Sequence, residues 1–295
     1  MNTPSRFPQF NLLAVVTAFA CFQAATFAAD PAPIPMAGPT AADSALLDAR
    51  LKALIVQQDP AAQAIFDSKP TVKLVTANSA IIPMPFNPAK HDANVAVAKK
   101  GDIDLLLAGD SITDWWIGQN GTPTNAYTKY FGNIKTADFA IAGDKTQGVL
   151  YRLQNGEGQG FQPKAIMLMI GTNNIGSNTA REIADGIVAD LNELRKDFPN
   201  ARILLLGIFP RGLPTDSARK TIADINAIIS KLDDHSHIFY MDIGAKFLGE
   251  DGAFLPNAFR ADNLHPQELG YDIWGQAVQG ALTSMLNGQA PDTSK

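Results

Sequence analysis

Cysteine is almost absent: the 295-residue chain has one, Cys21, inside an apolar N-terminal stretch. Past that stretch no thiol remains, which excludes disulfides, thiol nucleophiles and cysteine metal sites and leaves the core to hold the fold. Runs of five or more basic residues are also missing, and 24 Lys and Arg against 29 Asp and Glu give a formal net charge of −5. That balance argues against a nucleic-acid partner and against an anionic membrane surface. No internal repeat is visible, and no G-x-G-x-x-G follows a strand pattern. Gly156-Glu157-Gly158-Gln159-Gly160 follows a helical pattern and reads as a loop rather than a phosphate cradle. Histidine is scarce at four residues. His235 and His237 sit in a polar stretch, Asp233–His237, that reads as a solvated loop rather than a ligand set, and His91 reads as structural. Neither a metal nor an organic cofactor is expected.

What is present begins with the N-terminus. MNTPSRFPQFN carries one basic side chain, Arg6, and LLAVVTAFACFQAATFA supplies an apolar segment of about 15 residues with small residues at Ala28 and Ala29. A membrane span needs roughly 20 apolar residues. Residues 1–29 therefore read as a signal peptide, which implies a secreted or periplasmic protein with no stable membrane insertion once it is removed. Ala18-Phe19-Ala20-Cys21 matches a lipoprotein cleavage box poorly. Residues 30–90 read as a Pro/Ala-rich tether and N-terminal extension, with a short amphipathic helix at Ala45–Gln58 and an irregular stretch at Asp67–Pro88. Residues 289–295 form a C-terminal tail.

From Asp92 onward the pattern is regular. Apolar runs at Ile103–Gly109, Thr136–Gly143, Lys164–Gly171, Arg202–Phe209 and Ile238–Gly244 alternate with helical segments. The helical segments are Asn125–Phe131, Gln147–Gln154, Ala180–Phe198, Ser217–Asp233 and Pro266–Leu286. Strands apolar throughout must be covered on both faces. The expectation is an α/β fold: one doubly wound, five-stranded parallel sheet with helices on both faces, of flavodoxin-like type, spanning residues 91–288.

In such sheets ligands bind outside the carboxyl ends of the strands. Those ends carry Gly109-Asp110-Ser111, Ala142-Gly143-Asp144, Gly171-Thr172-Asn173-Asn174 and Phe209-Pro210-Arg211-Gly212. A hydroxyl, a glycine amide, a side-chain amide and a guanidinium would thus share one edge. Before the last helix stands Asp262-Asn263-Leu264-His265-Pro266. A serine becomes a useful nucleophile when an imidazole takes its proton, and a carboxylate fixes that imidazole's tautomer. The order Ser111…Asp262…His265 supplies those three groups, although taken alone Asp262 reads as a cap for the last helix and His265 as a partly buried surface histidine. Thr113 stands where a G-x-S-x-G elbow would place its second glycine, which disfavours the α/β-hydrolase family.

Gly109–Thr113 (GDSIT), Gly143, Gly171–Asn174 (GTNN) and Asp262–Pro266 (DNLHP) resemble, in order, the four sequence blocks of the SGNH (GDSL) hydrolases. AIAGDKTQGVLYRLQNGE, KAIMLMIGTNN and GIFPRG are similar to the branch holding platelet-activating-factor acetylhydrolase catalytic subunits and bacterial esterases. The resemblance runs from His91 to the last helix. It implies Ser111 as nucleophile, His265 as base and then acid, and Asp262 as the residue orienting His265. It also implies an oxyanion hole from the Ser111 N–H, the Gly143 N–H and the Asn173 side-chain amide.

Three positions depart from the family pattern: Trp115-Trp116 where Gly-Trp is usual, Ala142 where glycine is usual, and Asn174 where many relatives carry aspartate. Asp110, Trp115, Trp116 and Arg211 are candidate substrate-binding residues, the extra indole of Trp115 alternatively a core aromatic and Arg211 alternatively a loop pin. The expected activity is secreted serine-esterase hydrolysis of short-chain, chiefly acetyl, esters borne by a small molecule or a glycan. The alternatives are a lysophospholipase or thioesterase of the same superfamily, or a non-catalytic glycan-binding module on the same fold.

Overall fold

The computed structural model describes residues 78–118 and 123–294. The expected signal peptide and the helix at Ala45–Gln58 lie outside them, as does most of the expected tether. Five strands form one all-parallel sheet in the order β2-β1-β3-β4-β5. They are β1 (Leu105–Gly109), β2 (Thr136–Asp138), β3 (Ala165–Met169), β4 (Arg202–Leu206) and β5 (Ile238–Met241). The helices that position the site are α1 (Pro88–Ala98), α2 (Ser111–Asp114), α3 (Asn125–Phe131), α4 (Thr146–Arg152), α5 (Ala180–Asp197), α6 (Ser217–Ile229) and α7 (Glu268–Leu286).

Strand side chains alternate between faces, and here both faces are buried. Leu106 and Ala108 of β1 pack with Val149 of α4, Ile187 and Leu191 of α5 and Ile225 of α6. Leu105 and Leu107 pack on the other face with Tyr130 of α3 and Trp274 and Val278 of α7. The expected α/β class and parallel five-stranded sheet are therefore present. Each fully buried Leu or Ile contributes about 1.5–3 kcal/mol, so two apolar layers suffice without cross-links.

Local signals set the element ends. Asn87 caps α1 through Oδ1 with Pro88 at its first position, and Thr179 with Glu182 forms a reciprocal capping box on α5. The second strand is shorter than the expected Thr136–Gly143. Asp138 Oδ1 accepts the Ala140 N–H, turning the ladder into a loop whose Phe139 and Ile141 N–H groups still reach Leu107 O and Gly109 O of β1. The expected domain start at residue 91 falls inside α1. Before it, Thr146 Oγ1 donates to Ala80 O, Asn178 Nδ2 to Ser79 Oγ, and Asn78 Nδ2 to Glu182 O. Residues 78–90 are thereby seated against α4 and α5.

The chain leaves β1 for β2 on one side and returns to β3 on the other, so the order reverses between β1 and β3. Gly109 is required at that point: a Cβ there would lie 2.4 Å from Met169 O across the ladder. Among the described residues no helix is long and apolar enough to cross a membrane.

Candidate active site

Ser111 opens α2 where β1 ends. Asp110 caps that turn, its Oδ1 accepting the Ile112 N–H at 3.0 Å. Ser111 Oγ lies 2.9 Å from His265 Nε2, across 154 positions of sequence. His265 Nδ1 lies 2.8 Å from Asp262 Oδ2, and Asp262 Oδ1 accepts the backbone N–H groups of Leu264 and His265. Burial pushes the Asp262 carboxyl up, but the hydrogen bonds from the His265 ring and the two backbone amides outweigh it and hold it below its ordinary value. An ionised Asp262 accepts a hydrogen bond from Nδ1–H, and in that tautomer Nε2 is the acceptor to which the Ser111 hydroxyl donates. Hydroxyl, imidazole and carboxylate form one continuous chain.

Gly143 has φ of +88°, a conformation glycine adopts without steric cost. Among the described residues neither the Ser111 nor the Gly143 N–H donates to a protein acceptor. Asn173 donates from Nδ2 to Asp144 O at 2.8 Å, which ties its amide to the residue after Gly143 and leaves its second N–H free to point elsewhere. The loop carrying Gly143 is fixed from three sides. Ala142 N donates to Asp114 Oδ2 of α2, Asn173 holds the Asp144 carbonyl, and the Asp144 carboxylate pairs with buried Arg152 at 2.8 Å. Arg152 also donates to Phe139 O at 2.8 Å and pairs with Glu157. Sequence reading missed Asp114 and Arg152, since a lone Asp on a short turn and an Arg on a helix carry no pattern.

The substrate-binding candidates divide. Trp115 stacks on the His265 ring, centroids 3.9 Å apart and planes at 29°, with the Arg260 guanidinium 4.7 Å from the indole centroid. Trp116 is a correction: it is fully buried, packed against Phe131, Tyr271 and Trp274, and lines no cleft. Trp115 caps the end of α2 and Trp116 follows it in the turn that closes the helix, so the two side chains leave the chain in different directions, one toward the site and the other into the core. Asp110 is a second correction, buried at 1% exposure and engaged as the α2 cap. Arg211 Nη1 donates to Thr172 O at 3.1 Å, the loop-pinning one of its two expected roles. Its neighbour Gly212 N donates to Asn263 O at 2.8 Å, joining the β4 loop to the loop that carries His265. Asp233–His237 is a backbone cap: Asp234 Oδ1 accepts from the N–H of Ser236, His237 and Ile238. His91 of α1 pairs with Glu157.

Comparison with known proteins yields consistent relatives. The sequence profile of the GDSL-like Lipase/Acylhydrolase family matches residues 107–273. Platelet-activating factor acetylhydrolase IB subunit alpha1 of Homo sapiens is 30% identical over 197 residues, 66% of this chain and 82% of that protein. Subunit alpha2 of Rattus norvegicus is 33% identical over 184 residues, 62% of this chain and 77% of that protein. A GDSL-like lipase from Bacteroides thetaiotaomicron superposes with a TM-score of 0.54 at 19% identity, covering 66% of this chain and 96% of that one, a likeness of fold.

Two measurements test this geometry. Stacking on Trp115 places the His265 ring protons in the indole's shielding region, so their NMR signals should lie upfield in the wild type. They should move downfield in Trp115→Ala; an unchanged His265 signal in that variant contradicts the stack. For Asp110, burial pushes the carboxyl up to about 7 from 3.8, with the Ile112 N–H and Arg211 opposing and Asp144 adding to it. The folded chain therefore holds a proton that the unfolded chain releases near 3.8, and the associated stability is lost as pH rises toward 7. Urea unfolding of the wild type relative to Asp110→Asn should show that loss between about pH 4 and 7, in total about 4 kcal/mol at 1.36 kcal/mol per unit, and no further change above pH 7. A difference independent of pH counts against a buried, protonated Asp110.

Proposed function

Because the chain belongs to the GDSL-like lipase/acylhydrolase family, we propose that it hydrolyses short-acyl carboxylic esters, acetyl esters foremost, through Ser111, His265 and Asp262. The observation that carries this reading is the unbroken chain from Ser111 Oγ through the His265 ring to Asp262, with contacts of 2.9 and 2.8 Å. In the proposed reaction the Ser111 oxygen attacks the ester carbonyl carbon as its proton passes to His265 Nε2. The tetrahedral intermediate collapses, the alcohol departs with that proton, and an acyl group remains on Ser111. Water then gives a proton to Nε2, attacks the acyl carbon, and releases the acid while Ser111 regains its hydrogen.

The negative oxygen of each tetrahedral intermediate is assigned to the Ser111 N–H, the Gly143 N–H and the second N–H of Asn173. Donors held in place before the reaction stabilise developing charge without reorganising. That is the role we give the contacts that pin Gly143 and Asn173. Asp262 keeps Nδ1 protonated and meets the positive imidazolium that forms on the ring. The acetyl preference draws on the curated relatives, which are named acetylhydrolases. Export through residues 1–29 is part of the proposal and would set the enzyme among extracellular esters.

A fluorophosphonate probe is expected to label the wild type once per chain and to leave Ser111→Ala unlabelled. Labelling that persists in Ser111→Ala would falsify the assignment of the nucleophile. Asn173→Ala should lower kcat on p-nitrophenyl acetate by about 10²–10³-fold with little change in KM, the usual cost of one oxyanion donor. A loss confined to KM would instead place Asn173 in ground-state binding.

A further inference from the structure

The segment before α1 reads Ile82-Pro83-Met84-Pro85-Phe86-Asn87-Pro88. Proline fixes its own φ and confines the preceding residue to extended conformations, so Ile82, Met84 and the two prolines after them form a stiff, extended strap. Ile82, Met84 and Phe86 are 46%, 53% and 39% exposed, and only three other large apolar side chains among the described residues are exposed: Val97, Leu213 and Leu269. Half of the exposed apolar side chains thus sit on five consecutive residues. An apolar strip left open to water at such cost marks a binding surface more often than an accident.

The strap is held at the active site. Met84 N donates to Gln147 O of α4 at 3.0 Å, and Asn87 turns the chain into α1 with φ of +44°. Lys90, in the first turn of α1, pairs at 3.0 Å with Asp114 of α2, whose other oxygen takes the Ala142 N–H. Phe86 Cζ lies only 3.3 Å from where a Cβ on Gly143 would stand. Its ring therefore borders the glycine assigned to the oxyanion hole. From Phe86 back to Ile82 the strap spans about 13 Å at roughly 3.3 Å per residue.

We infer that Ile82, Met84 and Phe86 form an apolar wall that determines which alcohols the enzyme accepts, selecting short-acyl esters of apolar alcohols. The inference rests on the short-acyl reading of the active site. A two-carbon acyl group ends beside Ser111 and cannot run the length of the strap, so the alcohol portion is the part of the substrate long enough to occupy it. Chain-length selectivity then comes from three side chains outside the hydrogen-bonded chain at Ser111.

The test is a series of n-alkyl acetates from ethyl to octyl, followed by pH-stat with the wild type, Phe86→Ala, the double variant Met84→Ala/Phe86→Ala, and Val97→Ala as an exposed apolar control. A wall that covers one side of the chain should raise wild-type kcat/KM by about twofold per methylene, half the effect of full burial. The octyl-to-ethyl ratio should fall stepwise in the single and double variants and stay at the wild-type value in Val97→Ala. An equal ratio in wild type and double variant overturns the proposal, as does a wild type indifferent to alcohol length. It is also overturned if the variants flatten the dependence on acyl length across p-nitrophenyl acetate, butyrate and octanoate instead. A wild type that hydrolyses none of these esters and takes no fluorophosphonate is a different result, and it removes the hydrolase reading itself. Thermal unfolding of each variant separates loss of the wall from loss of the fold.

Discussion

A parallel sheet buried on both faces has nowhere to put polar side chains except at its ends. Leu105 to Ala108, Ile166 to Met169 and Ile203 to Leu206 are all enclosed by helices. Every strand must therefore finish in a polar turn, and the parallel arrangement gathers those turns on one edge. The order β2-β1-β3-β4-β5 splits the crossovers at β1, which opens a crevice between the ends of β1 and β3. Ser111 and Asn173 stand at those two ends. Gly143 stands beyond β2, still hydrogen-bonded alongside β1 through Ile141.

Holding the loop that carries Gly143 costs something. Arg152, Asp144 and Glu157 are each at most 2% exposed, and withdrawing three charges from water is expensive unless their geometry satisfies them. They pair with one another, and the Phe139 carbonyl, the Lys145 N–H, the Asn94 amide and the His91 ring supply further contacts. A hydrophobic replacement of the same volume would cost less in stability but would release Asp144. With Asp144 the chain fixes both the peptide after Gly143 and, through its carbonyl, the amide of Asn173. The buried charges serve position rather than stability.

The strap and Trp115 show how one surface is finished from distant pieces. Trp115 covers the His265 ring from α2, Gly212 ties the β4 loop to Asn263, and Phe86 meets Gly143 from the N-terminal side. None of these contacts follows from a neighbouring residue. They set the walls of a cleft whose floor is assembled by the strand ends.

The sequence by itself determined the fold class, because apolar runs without alternation require cover on both faces, and that is a local property of composition and period. Resemblance to the four family blocks also marked Ser111, Gly143, Asn173, Asp262 and His265 as the candidate site, and Ser111, His265 and Asp262 are joined by hydrogen bonds in the folded chain. The sequence did not determine which way neighbouring side chains face at a one-turn helix. Trp115 and Trp116 were indistinguishable as letters, yet one stacks on His265 and the other is buried against Trp274. Asp110, expected at the substrate, turned out to be the buried cap of α2, which only its side-chain contact decides. The irregular, proline-rich stretch up to Pro88 gave no period to read, so its seat beside Gly143 was decided only by tertiary packing. Periodicity reports which face of an element is buried; it carries no information about which distant segment covers that face, and that pairing belongs to the folded chain.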